Sequence, residues 1–139
     1  MGFKIFLDAN ILLDFILKRE EYDKARDIIQ IIRDGNAEGF VTPSIVHILG
    51  YWLTKAYDSE KAKELILLLL EEIKVIDIPH EITILALASK IDDIEDALQY
   101  YSAIHHNLDF FISRDKKLKK SSVVALPVYT PHEFLSDFS

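Results

Sequence analysis

The sequence predicts an α/β chain in which a mainly parallel sheet of about four to five strands is covered on both faces by helices. Three observations lead there. Short apolar runs rich in β-branched and aromatic residues recur along the 139 residues. Between them lie segments whose apolar residues fall at helical spacing. The runs are apolar on both faces, which suits strands buried between two helical layers rather than strands with one wet side. No linker, low-complexity tract or internal repeat breaks the pattern, and the four glycines and four prolines are scattered. A single domain over residues 1–139 is therefore expected.

Taken in order, residues 3–8 read as a short buried strand, and Asp8 or Asn10 can cap a helix over roughly 10–18. Residues 20–34 place Tyr22, Ala25, Ile28, Ile29 and Ile32 at helical spacing, and Gly35 stops that helix. "GFVT" at 39–42 is a second strand, and Pro43 suits the first turn of a helix running to about 57. Ser59 and Glu60 open a helix to about 72, whose 65–70 apolar run is expected to be well buried. "KVIDI" at 74–78 is a third strand, followed by helices at about 80–90 and 93–106. "DFFIS" at 109–113 is a fourth strand and "VVALPV" at 123–128 a candidate fifth. A short helix follows Thr130-Pro131.

Composition narrows the chemistry. Half of the residues are apolar, enough for one sizeable core. With no cysteine, disulfides, thiolate zinc sites and a cysteine nucleophile are excluded. A cytoplasmic, reducing location is expected by default. Asp8 interrupts the apolar start too early for a signal peptide, and no apolar run is long enough for a membrane span. The formal net charge of −7 argues against a large nucleic-acid footprint held by simple attraction. It leaves room for an acidic pocket that holds metal ions.

Three acids or acidic clusters stand beside predicted element ends: Asp8, the start of "IDDIEDALQYYSA" at 91–103, and Asp115 in "FFISRDKKLKK". Each has a local explanation. Asp8 can be a helix cap, Asp93 and Asp96 a capping pair, and Asp115 a neutraliser of Lys116 and Lys117. In a parallel sheet, however, sites form at the carboxyl ends of strands. If the first and fourth strands are neighbours, Asp8 and Asp115 border one crevice. Convergent carboxylates repel unless a cation sits between them, and hard divalent ions prefer oxygen ligands. Such ions can activate water against a phosphodiester. No phosphate-cradling glycine loop, nucleophile elbow or zinc-binding His pair is present.

With those residues in view, the chain resembles the PIN domain family over nearly its whole length. "FLDANILLD" resembles the family's opening strand ending in Asp-x-Asn, and "IEDALQYYSA" its acidic-Asp-Ala helix start. "FFISRDKKLKK" resembles the end of its fourth strand, and "VYTPHEFL" a common family ending. The resemblance implies a three-layer α/β/α fold and Mg²⁺- or Mn²⁺-dependent cleavage of RNA or single-stranded nucleic acid. It also brings in the VapC-type toxins, which tend to form homodimers and are inhibited by a small antitoxin protein. On this pattern Asp8, Asp96 and Asp115 would be the metal-binding catalytic acids. Asn10 and Ser113 would be polar supports. Asp93 would be an additional acid or the helix cap. Arg114, Lys116 and Lys117, in the densest basic stretch, would guide a substrate phosphate.

The pattern departs in one place. The family usually carries a Glu on the helix after the second strand, but "TPSIVHILGYWL" has no acid anywhere between Glu38 and Asp58. His47 is the candidate substitute ligand in register; a packed or partly exposed His is the other reading. Losing one carboxylate lowers the site's charge, so a weakened or inactive PIN-like binding module is the alternative function. Trp52 and Tyr51 suit either core or dimer surface. Tyr100 or Tyr101 could line the crevice. Self-association is expected to cover Ile48, Leu49, Trp52 and Leu67.

Overall fold

The computed structural model describes residues 2–138. Five strands, β1 (Phe3–Leu7), β2 (Ala37–Val41), β3 (Ile73–Val75), β4 (Phe110–Ile112) and β5 (Val128–Tyr129), form one sheet in the order β3-β2-β1-β4-β5. Every pairing is parallel. The helices are α1 (Ala9–Ile16), α2 (Tyr22–Arg33), α3 (Pro43–Ala56), α4 (Ser59–Leu69), α5 (His80–Ala88), α6 (Ile94–His105), α7 (Lys116–Lys120) and α8 (Pro131–Phe138). They flank the sheet in a three-layer α/β/α arrangement.

The central place of β1 follows from its sequence. Ile5, Phe6 and Leu7 are fully buried. Apolar side chains on alternating faces are satisfied only where helices cover both sides. Phe6 stacks on Phe111 of β4 with ring centroids 4.7 Å apart. Leu7 pairs with Ile112, and the Asp8 amide donates to the Ile112 carbonyl at 3.1 Å, so β1 and β4 end side by side.

α2 lies on the sheet through Ala25, Ile28, Ile29 and Ile32, all buried. Gly39 of β2 lets it come close: a Cβ there would stand 2.8 Å from Ile32 Cδ1. Gly35 ends α2 with φ +81°, a conformation glycine adopts without penalty. Thr42 caps α3, its Oγ1 accepting from the Ile45 amide at 3.3 Å, and Pro43 takes the first helical turn.

The expected elements are present, with four differences. β3 begins at Ile73 and stops at Val75; the Ile76 amide adds one bond to Val41 O, and Pro79 then opens α5. Only Val128–Tyr129 of the expected fifth strand is strand, because Val123 and Leu126 bridge each other in a tight turn. The Tyr100 hydroxyl pins that turn, donating to Leu126 O and accepting from the Val123 amide. The basic stretch Lys116–Lys120, given no element of its own above, forms α7. Finally, the 65–70 run is not uniformly buried: Ile66 and Leu69 face the core, but Leu67 and Leu68 are 66% and 55% exposed. A helix has one inward stripe, and a continuous apolar run overfills it.

Candidate active site

Four elements deliver the site. β1 ends at Asp8, which caps α1: its Oδ1 accepts from the Ala9 amide at 2.7 Å. β4, its neighbour, leads into Ser113, Arg114 and Asp115. The Ser113 hydroxyl donates to Asp8 Oδ2 at 2.8 Å, so both Asp8 oxygens are held. Ser113 Oγ also accepts from the Asp115 amide at 3.0 Å, which ties the two acids together through one side chain. Asp115 in turn caps α7, its Oδ1 accepting from the Lys117 and Leu118 amides. At the third element Asp93 caps α6 by accepting from the Asp96 amide at 2.9 Å.

A single cleft is lined by Asp8, Asn10, Asp93, Asp96, Arg114 and Asp115. An adjoining hollow shares Asp93, Asp96 and Asp115 and reaches Lys117. The local explanations and the shared site hold together: the same carboxylates cap helices and line one crevice. Lys116 is exposed and lines neither hollow.

The electrostatics report crowding. Burial raises the Asp8 pKa, and hydrogen bonds from Ser113 and Ala9 only partly offset it. Asp96 is pushed up to about 8, chiefly by burial, then by its hydrogen bond to Asp115 and by the charges of Asp8, Asp93 and Asp115. Asp115 moves down, because Asp96 donates to it. One proton is thus retained within the acid cluster near neutral pH. A cation would displace it.

The fourth element is α3, and it brings no acid. Ile48 and Trp52 face the cleft from this helix, while His47 is exposed and outside the lining around Asp8. The sequence register that singled out His47 is one residue off the cleft-facing stripe. Helix side chains one position apart differ by about 100° in direction. Glu95, exposed beside Asp96, also borders the cleft.

Two groups escaped the sequence reading. Asp14 is 2% exposed, and Arg114 Nη2 lies 3.4 Å from its Oδ2, an oxygen with no hydrogen-bond partner among the described residues. Burial raises the Asp14 pKa against the pull of Arg114 and Arg19. The signal was present: one acid inside "ILLDFIL", the sole charged residue of α1. The other group is a buried polar pair at the end of β2, where the Thr42 hydroxyl donates to Gln99 Oε1. Tyr100 is buried in the core and does not line the crevice.

The PIN domain family model matches residues 4–117. The chain belongs to the PIN domain family. Solved structures with the same fold include VapBC2 from Rickettsia felis bound to a promoter DNA fragment, at TM-score 0.70 and 18% identity over 91% of this chain and 98% of that one. A toxin–antitoxin complex from Klebsiella pneumoniae aligns at TM-score 0.69 and 20% identity, covering 93% of this chain and 98% of the other. The Mycobacterium tuberculosis toxin VapC20, described as cleaving the sarcin–ricin loop, aligns at 0.68 and 10% identity over 88% and 98%. No curated protein matches this PIN-domain sequence.

Proposed function

We propose that this PIN domain is a divalent-metal-dependent endoribonuclease, the toxin of a toxin–antitoxin pair. The observation that carries it is the convergence of Asp8, Asp96 and Asp115 on one cleft, with Ser113 fixing the first and the third. The donor set fits a hard cation in chemistry: oxygen only, with Asp8 and Asp96 both raised, by burial first and then by neighbouring acids. Among the described residues no three His, Cys, Asp or Glu side chains are arranged around one point as a closed metal site. Asp8, Asp96 and Asp115 would hold Mg²⁺ or Mn²⁺, which supplies an activated water and charge neutralisation at phosphorus.

The chain's own residues do the rest. Ser113 holds Asp8 in a fixed orientation. Asp96 gives up its proton when the cluster is neutralised. Arg114, which lines the cleft, and Lys117, which lines the adjoining hollow, hold the substrate phosphates; Asn10 offers a neutral polar contact beside Asp8. RNA cleavage with Mg²⁺ or Mn²⁺ tests the proposal: the parent cuts, and Asp8→Asn loses at least a hundredfold in rate, from the size of such electrostatic contributions. A parent that cuts nothing, or an equally active Asp8→Asn, overturns it.

An antitoxin partner rests on two structural neighbours being toxin–antitoxin complexes. A homodimer would cover Leu67 and Leu68 of α4, together with Ile84, Leu85 and Leu87 of α5. Light scattering that finds only monomer at high concentration removes that part. On this reading cleavage takes place in the cytoplasm.

One observation favours a second reading, a weakened binding module: α3 presents Ile48 and Trp52 to the cleft where an acid would stand. Calorimetry with Mn²⁺ separates the two. Heat of binding at the acidic cleft supports the nuclease, and silence at millimolar ion supports the module.

A further inference from the structure

The cleft is polar except where α3, together with Ala9 and Leu13 of α1, lines it. On α3, Ile45, Leu49 and Leu53 form the stripe that enters the core. Ile48 and Trp52, one turn apart, lie on the adjacent stripe and face the carboxylates instead. Trp52 is 44% exposed. Its ring is braced by Tyr51, edge to face at 5.2 Å and 88°. Lys55, a turn further on, carries its ammonium 5.7 Å from the indole and donates to the Tyr51 hydroxyl at 3.1 Å. Arg114 lines the same cleft as the indole.

We propose that Trp52, backed by Ile48, is a stacking platform for an unpaired nucleobase of single-stranded RNA, next to the carboxylates that face the backbone. The inference rests on the ribonuclease reading for the identity of the strand. Chemistry selects this occupant over a protein surface. An apolar protein partner seated on Trp52 would also cover Asp8, Asp96 and Asp115, desolvating charge without compensation. A nucleotide has two parts that match the two sides of the cleft. Its flat base has a π-face for the indole, and its phosphate meets the cationic groups. Every base has such a face, so the platform selects for unpaired strands rather than for one sequence.

Trp52 is the only tryptophan in the chain, so its fluorescence reports this position alone. The probe is a single-stranded oligoribonucleotide, compared with one of equal length carrying abasic positions and the same phosphates. The protein is the full chain with Asp8→Asn in Mg²⁺, so that the strand survives the titration. The base-bearing strand quenches Trp52 and binds roughly tenfold to a hundredfold more tightly than the abasic one, as loss of one stacked base predicts. Neither variant keeps an indole, so their binding is read from a fluorophore on the end of the strand: Trp52→Ala loses that preference, and Trp52→Phe keeps most of it while showing that the fold is intact.

Equal binding of the two strands overturns the platform. So does an indole that ignores RNA but changes with protein concentration, the sign of burial against a second copy. The two readings fail separately. If the parent cuts RNA and Trp52→Ala leaves KM unchanged, the platform falls and the nuclease stands. If base-dependent quenching occurs but the parent cuts nothing, the nuclease falls and the platform stands.

Discussion

Asp14 and Arg114 form a pair in which only one member is buried, and the consequence is asymmetric. Arg114 is 42% exposed along its side chain and can reach the cleft; Asp14 is 2% exposed and cannot leave the core. Removing the guanidinium leaves a buried carboxylate oxygen with only the weaker pull of Arg19, a loss of about 1–3 kcal/mol. Arg114→Ala therefore lowers thermal stability, and Asp14→Asn restores part of it by removing the stranded charge. Denaturation of both single variants and the double variant gives the coupling. Additive losses would show that the pair does not interact. On the nuclease reading, Arg114→Ala also weakens RNA binding, an effect that Asp14→Asn does not repair.

At the scale of elements, helix starts carry the design. Asp8, Asp93 and Asp115 each cap a helix with one oxygen or edge and present the remainder to the cleft. A cap has a fixed backbone position, so the acids are held where the chain turns, not by long flexible side chains. α8 is anchored differently. Glu133 accepts from the Thr130 amide and pairs with Lys119 of α7, and Lys119 draws its pKa down to about 2. The sign follows from linkage. A carboxylate whose folded pKa lies below its ordinary 4.5 contributes stability that is present above 4.5 and is lost as pH falls towards 2. Glu133→Gln accordingly melts below the parent at neutral pH, and the gap closes on acidification. A gap that stays constant from pH 6 to about pH 3 would refute the pairing.

For the whole molecule, the sheet order decides where the site lies. From β1 the chain crosses to β2 on one side, whereas β4 is followed by β5 on the other. The crevice opens at that divergence, beyond the carboxyl ends of both strands. The cost is a cluster of acids in one partly buried place. Asp96, raised to about 8, binds a proton in the folded chain that the unfolded chain releases above 3.8. Its contribution is therefore complete at pH below 3.8 and is lost as pH rises towards 8 in protein without metal. A divalent ion reverses the trend, since it binds the deprotonated acids without competition at high pH. Mn²⁺ is thus expected to raise the melting temperature more at pH 8 than at pH 5.5. Equal shifts at both values would mean that the ion does not bind this cluster.

The alternation of strands and helices is legible in the residues alone, because burial on two faces leaves continuous apolar runs: "KIFL" and "DFFI" read as strands with no neighbour in view. Asp8, Asp96 and Asp115 are legible there too as acids at element ends, and the structure brings them to one cleft. The sequence does not determine exposure within an apolar run, so Leu67 and Leu68 stand outside the burial expected of 65–70, nor α7, which depends on the Asp115 cap. Packing of the whole chain puts β1 against β4, which makes one cleft of two distant strand ends. It alone showed that α3 turns Ile48 and Trp52 to that cleft, with His47 outside, and that Arg114 meets a buried Asp14. The reason is physical: period and capping are local in the chain, while strand neighbours and helix rotation are set by packing across residues a hundred positions apart.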